Sequence, residues 1–340
     1  MAAKKSTKRE FDWRSYTKPA RLLSAEQEAA LSGGVLAPLL QLALTQPGLT
    51  FEIRARQAIL YSHGASLVRL RGAASPFVAE IDVNLRLPKA QRASSETLET
   101  HSLESDADVT ALLNELASLN VSLARWAAEE GAPSVREHLT RFASANAGSV
   151  PEDELIVVDI EYQYGRRRFD FVGMRRAAGV GGAGAFSTPR MVVGELRSPG
   201  RPLTRNSSLA AFGSDAAEFV HALAGEHLIR AKAELADLVA QKVRLGLLPA
   251  DLPFMRFTED LPELLVVFTD PEFTEPALDA PIAELHDKLV ARKFPTELLT
   301  FAATGEAAAA FGGDAEDRIL EDDVMSYREF RGFRKRLHTL

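Results

Sequence analysis

The spacing of hydrophobic positions changes several times along the chain, and each change predicts an element. From Ser24 toward Thr45 apolar residues recur at helical intervals, and Ser24 with Gln27 three residues on has the form of a capping box. Gly33 and Gly34 interrupt this helix, and "TQPG" ends it. "TFEIRARQAILYSHGASLVRLRG" and "PFVAEIDVNLRL" then alternate apolar with polar residues and are rich in β-branched and aromatic side chains. That texture predicts three or four antiparallel strands, with Gly64 supplying the turn in "SHGAS". The helical period returns between residues 105 and 146, where Ser105 with Asp108 and Ser134 with Glu137 repeat the capping-box spacing, so two or three helices are expected.

After the turn-rich "ANAGSVPEDE" come three strand-like runs, "LIVVDIEYQY", "RRFDFVGMRR" and "RMVVGELRS". The first two join at Gly165 and the last two through "AAGVGGAGAFSTP". A long helical pattern follows from about Ser214 to Leu245, then a buried strand in "LPELLVVFTD", a helix near 281–292 and a C-terminal helix. Tyr327, Phe330, Phe333 and Leu337 form an aromatic stripe that predicts docking of that last helix on the core. From residue 134 the element order is therefore α, β, β, β, α, β. The chain divides into a basic arm with an N-terminal helix (1–48), a β-meander with helices (49–147), and an α/β part with a C-terminal helical extension (148–340).

Composition adds limits. The 340 residues contain no cysteine, which excludes disulfides, thiolate metal sites and cysteine nucleophiles. No apolar run approaches the roughly 18 residues that span a bilayer, and "MAAKKSTKRE" has no hydrophobic segment behind it, so a cytoplasmic location without membrane contact is expected. The net charge of −7 hides a segregation. Residues 94–154 and 251–323 are acidic and offer surfaces for protein partners, whereas residues 159–205 carry nine arginines against Asp159, Glu161, Asp170 and Glu195. Two motifs lack their context. The G-x-G-x-x-G between Gly179 and Gly184 runs into a proline and a strand rather than a helix. The histidines form no zincin pair.

The central runs hold the candidate chemistry. Asp170 lies between Phe169 and Phe171, where a lone buried carboxylate costs several kcal/mol unless it has a partner or a metal. Glu195 stands in an equivalent place on the following strand, and Val193, Glu195 and Arg197 alternate onto one face. Pairing of these strands would converge two carboxylates at one end of a sheet, a donor set that suits Mg²⁺ (or Mn²⁺). Arg166, Arg167, Arg168, Arg175, Arg176, Arg201 and Arg205 surround this region as candidate phosphate contacts. The alternative for Glu195 and Arg197 is a structural ion pair.

The α-β-β-β-α-β order, with "FD" on the second strand and "GELR" on the third, resembles the PD-(D/E)XK (restriction-endonuclease-like) nuclease superfamily. The resemblance covers roughly residues 134–275. It implies an α/β fold whose PD-(D/E)XK-like core, a central mixed sheet flanked by helices, follows the β-meander and a helical segment, and a Mg²⁺-dependent nuclease acting on nucleic acid, with DNA the expected partner. On that pattern Asp170 and Glu195 match the metal-binding acids. Glu161 is the better candidate for a further acid, and Glu137 the weaker one. Arg197 stands at the signature lysine. Arginine stays charged and cannot act as a base, but it can stabilise developing negative charge. The alternatives are a catalytically silent nucleic-acid-binding module of the same fold, and an assembly subunit that binds proteins.

Overall fold

The computed structural model describes residues 21–88, 91, 93, 95–130, 134–148, 153–164, 167–176, 186–198, 213, 226–269, 278–309, 317–320 and 323–337. It is an α/β protein with an antiparallel five-stranded meander and a mixed six-stranded sheet. Two helices open it, α1 (Ala25–Gly33) and α2 (Ala37–Thr45), broken at the expected glycines. The Ser24 hydroxyl accepts a hydrogen bond from the Gln27 amide while the Gln27 side-chain oxygen accepts one from the Ser24 amide, completing the capping box.

The meander runs β1 (Leu49–Arg54), β2 (Gln57–Ser62), β3 (Ala65–Arg71), β4 (Phe77–Asp82) and β5 (Leu98–Leu103) in sequence order. This is one strand more than the alternation predicts. "LETHSL" is largely polar and exposed up to Leu103, so it lacks the apolar pattern that marks a strand, and pairing with β4 defines it instead. At the β2–β3 turn Gly64 has φ +72°, and a β-carbon there would stand 2.4 Å from the Ser134 hydroxyl oxygen. The turn thus presses on the start of α4 (Val135–Ala145), which follows the long α3 (Asp106–Glu130). Both helices begin at the predicted caps.

The second sheet contains β6 (Leu155–Ile160), β9 (Phe171–Arg175), β10 (Arg190–Arg197), β11 (Glu263–Phe268), β12 (Leu299–Ala303) and β13 (Met325–Ser326), in the spatial order β13-β12-β11-β10-β9-β6. The expected α, β, β, β, α, β order is present, with α4, β6, β9, β10, α5 (Glu226–Arg244) and β11 in those places. The central β9 of the first three strands is antiparallel to both β6 and β10, and β11 lies parallel to β10. A two-stranded ribbon, β7 (Gln163–Tyr164) and β8 (Arg167–Arg168), interrupts the first two strand runs, which the sequence pattern predicts as unbroken. The break falls at Glu161, whose φ of +47° cannot continue a strand. The strands β12 and β13 extend the sheet beyond the expected elements.

Side chains alternate between two packed faces. Met191 and Val193 join the larger apolar cluster, which runs on into the meander, and Val192 and Leu196 join the smaller one beneath α4. After α6 (Asp279–Ala291), α7 (Tyr327–Leu337) docks as its stripe predicts. Phe330 is buried and stacks on Phe301 at 4.4 Å and on Phe268 at 5.7 Å, and Tyr327 stacks on His286 at 4.2 Å.

The outer edge of β6 is covered rather than open. The Val157 amide donates to the Asn146 carbonyl at 2.7 Å, and the Glu154 amide donates to the Ile319 carbonyl at 3.0 Å. The buried Asn146 side chain accepts from the Ile319 amide and donates to the Phe142 and Asp317 carbonyls, holding the cover in place.

Candidate functional site

The β9–β10 ladder ends at Gly194 opposite Phe171, and Asp170 and Glu195 are the residues immediately beyond that pair on the two segments. Asp170 holds the backbone on both sides of that glutamate. Its amide donates to the Gly194 carbonyl at 3.1 Å, and its carboxylate accepts from the Leu196 amide at 2.8 Å. Gly194 is required for this arrangement. The buried Phe171 ring lies directly over it, 1.9 Å from where an alanine β-carbon would be, and packs against Phe142 at 5.1 Å. "FD" and "GELR" are therefore locked together as cross-strand neighbours.

Glu195 and Arg197 lie on the Met191/Val193 face, both buried. The Arg197 Nη2 is 3.3 Å from the Glu195 Oε1. In the parallel register Arg197 stands beside Phe268, one of the rings under α7. The Thr269 amide and hydroxyl both donate to the Arg197 carbonyl, which fixes the end of the strand. A cation thus rests against one of the two acids.

Glu161 is engaged elsewhere. Its carboxylate is gripped by Arg54, by Arg136 at 3.1 Å and by Arg168 at 3.2 Å, and Arg54 also donates to the Glu161 carbonyl and the Tyr61 hydroxyl. Burial pushes the carboxyl up, but the arginines outweigh it and hold it below the ordinary value of 4.5. A depressed folded-state value stabilises the fold above about pH 4.5, and that stability is lost as pH falls through the folded value. Glu161→Gln is therefore expected to cost about 1.5–3 kcal/mol at pH 7, the scale of a charge-assisted hydrogen bond. The gap from wild type should narrow toward pH 3 in urea unfolding. A gap that does not change with pH would show that the charge is not what matters.

The acid that joins the Glu195 face is one the alternation misses, Asp159. A β-bulge in β6 makes Asp159, not Val158, the residue opposite Val172, so two successive side chains enter the larger core. Asp159 is fully buried and ion-paired with Arg21. Arg21 lies 4.6 Å over the Tyr162 ring and 3.9 Å from Glu234 on α5. The clue was a lone aspartate in the apolar run "LIVVDI", the same signal that singled out Asp170.

The candidate phosphate contacts separate into groups. Arg168 is exposed beside Glu161, at the Asp170 end of the sheet. Arg175 lies five residues along β9 from Asp170, about 16 Å at strand rise, and is neutralised by Glu154 and Glu263. Burial raises the Glu154 carboxyl despite its arginine partners. Arg176 follows, 4.0 Å from Glu154. Arg166, Arg201, Arg205 and the Arg167 side chain lie outside the described residues, as does the glycine-rich loop. The Glu137 amide donates to the Ser134 cap of α4, and its carboxylate lies 3.4 Å from the His63 Nδ1.

No family model, curated protein or solved structure matches the chain. Among the described residues no single helix is long and apolar enough to cross a membrane. A second set of candidate metal ligands, Glu99, His101 and Glu115, lies on β5 and α3 with ligand atoms within 4.8 Å of one another. Arg86 already bridges its two carboxylates.

Proposed function

We propose that the protein is a metal-dependent phosphodiesterase of the PD-(D/E)XK type acting on nucleic acid, with Asp170 and Glu195 as the metal-binding acids and DNA as the expected substrate. The observation that carries this reading is the clasp of Asp170 on the backbone either side of Glu195, at the end of a three-stranded antiparallel unit followed by a helical crossover to a parallel strand. The donors are carboxylate oxygens held by strands, the chemistry that Mg²⁺ or Mn²⁺ accepts, so the residues fit the ion. When bound, such an ion neutralises phosphoryl charge and lowers the pKa of water.

The chain's own residues supply the rest. The Leu196 amide fixes the direction of the Asp170 carboxylate. Arg197 brings permanent positive charge beside Glu195, where it would stabilise negative charge developing on a phosphoryl group bound there. Arg136 and Arg168, exposed around Glu161 at the same end of the sheet, can hold flanking phosphates as Arg forks do. Water adds to phosphorus, the P–O ester bond breaks, and the leaving oxygen takes a proton.

One observation favours a second reading, a silent nucleic-acid-binding module: Arg197 occupies the space beside Glu195 that a cation would share. Cleavage of duplex, single-stranded and branched DNA and of RNA with Mg²⁺ or Mn²⁺, comparing wild type with Asp170→Ala, tests the proposal. Metal-dependent cleavage that Asp170→Ala abolishes supports it. Cleavage that survives the substitution, or none in wild type, overturns it. Salt-sensitive binding without cleavage would establish the silent module, and no binding at low salt would leave the protein-assembly role.

A further inference from the structure

Where α2, β1 and the end of α4 meet the chain that follows α5, they line a cavity of about 530 Å³. Ala43, Leu44, Phe51, Val157, Leu248 and Pro249 give it apolar walls, and Lys242 and Glu52 lie among them. Apolar walls with a few fixed polar groups, in a space of this size, are what small-molecule sites have in common. A second cavity of about 520 Å³ shares Ala43, Leu44, Leu49, Thr50 and Ser144 with the first, and Leu44 is 43% exposed on that common wall. An aliphatic chain therefore has room to continue past the 2.9 Å hydrogen bond between the Thr50 and Ser144 hydroxyls.

The ion pair in this cavity is held rather than solvated. The Lys242 Nζ donates to one Glu52 oxygen at 2.8 Å, and the two side chains are only 4% and 5% exposed. That bond uses one of three ammonium donors and one of two carboxylate oxygens. Among the described residues no group takes the remaining donors or the second oxygen. The fold satisfies its neighbour on the same helix fully: the buried Gln241 side chain exchanges hydrogen bonds with the Leu23 backbone and donates to Glu28. A structural tie between α5 and β1 explains the Lys242–Glu52 bond. It does not explain the cavity that both residues line, nor polar atoms left without a partner, which cost free energy when buried. Water satisfies polar atoms in such a space but leaves its apolar walls uncovered.

We propose that the cavity binds a small uncharged amphiphile, with an amide or hydroxyl head on the Lys242–Glu52 pair and an aliphatic body along the apolar walls. The Lys242 ammonium donates to the head's oxygen, and the head's N–H or O–H donates to the second Glu52 oxygen. The pair carries no net charge, so the head must be neutral. A carboxylate would meet Glu52 and an ammonium would meet Lys242, each at a desolvated like charge. The site does not depend on the phosphodiesterase reading.

The test is a ligand-observed NMR titration of the full chain at pH 7 with octanamide, 1-octanol, octanoate and octylamine, extended to hexanamide and heptanamide. Wild type should bind octanamide or 1-octanol saturably, and octanoate and octylamine about tenfold more weakly or worse. Affinity should rise about fourfold for each methylene added, the usual gain from burying one. Two variants place the ligand. Lys242→Met with Glu52→Met removes both charges together and leaves an apolar floor, so the amide and alcohol should weaken about tenfold and the preference for an uncharged head should vanish. Ala43→Phe fills the wall common to both cavities and should weaken the amide and the alcohol about tenfold or more. Circular dichroism and melting identify variants that keep the fold. Absence of saturable binding of the amide and the alcohol by wild type overturns the proposal. So does equal affinity for neutral and charged heads in wild type, or an unchanged affinity in either variant when it is folded.

Discussion

Arg197→Ala is expected to lower metal-dependent cleavage by about 10²–10³-fold, the usual cost of losing one donor aimed at developing charge, whereas Arg197→Lys should retain appreciable activity. The two substitutions separate the possible roles of this residue. Its guanidinium lies 3.3 Å from Glu195 in a buried setting, where it either serves the reaction or merely neutralises the acid. Lysine preserves a cation at the position and restores the signature residue of the resembled superfamily, so an active site tolerates it. If the pair is only structural, wild type does not cleave. Arg197→Ala then appears chiefly as a loss of stability, because a buried carboxylate has lost its counter-ion. An inactive wild type together with cleavage by Arg197→Lys would mark a silenced nuclease. Steady-state cleavage rates, with urea unfolding of the same three proteins, distinguish these results.

Lys242→Met is expected to destabilise the fold by about 3–5 kcal/mol, while Lys242→Met combined with Glu52→Met should recover most of the loss. Lys242 on α5 and Glu52 on β1 form a 2.8 Å ion pair with both side chains about 95% buried. Removing one partner strands the other charge in a low-dielectric interior, but replacing both with apolar groups removes the desolvation cost with the attraction. The pair joins the meander sheet to the helix that crosses between β10 and β11, so its effect reaches both sheets. A double-mutant cycle by urea unfolding gives the coupling directly. A Lys242→Met variant as stable as wild type would mean that water reaches Glu52 after all.

Much of the architecture was legible because it rests on local periodicity. The caps at Ser24, Ser105 and Ser134, the apolar stretches of β6, β9, β10 and β11, and the stripe of α7 are all written in neighbouring residues. What escaped depends on distant partners. The polar β5 is a strand because β4 pairs with it. Within "VVDIEY" strict alternation puts Asp159 and Glu161 on one face, but the bulge and the left-handed backbone at Glu161 send one carboxylate to Arg21 and the other to Arg54, Arg136 and Arg168. Proximity in sequence also suggested that Arg175 and Arg176 flank the acids, although a strand carries them to the far end of the sheet. The pairing of the two segments that hold Asp170 and Glu195 could be anticipated because both lie in consecutive apolar runs.

The cover over β6 bears on how this protein behaves in a crowded solution. All six residues of β6 are buried, and five of them are apolar or β-branched. Uncovered, such a strand is a template on which a second chain can pair, the first step of edge-to-edge aggregation. Asn146 and the short segment 317–320 prevent this by occupying its outer hydrogen-bonding groups. A lesion there need not touch the candidate acids or unfold the sheet to remove the protein from use. It would turn the uncovered strand into a seed for edge-to-edge pairing, and its first symptom would be turbidity that grows with concentration.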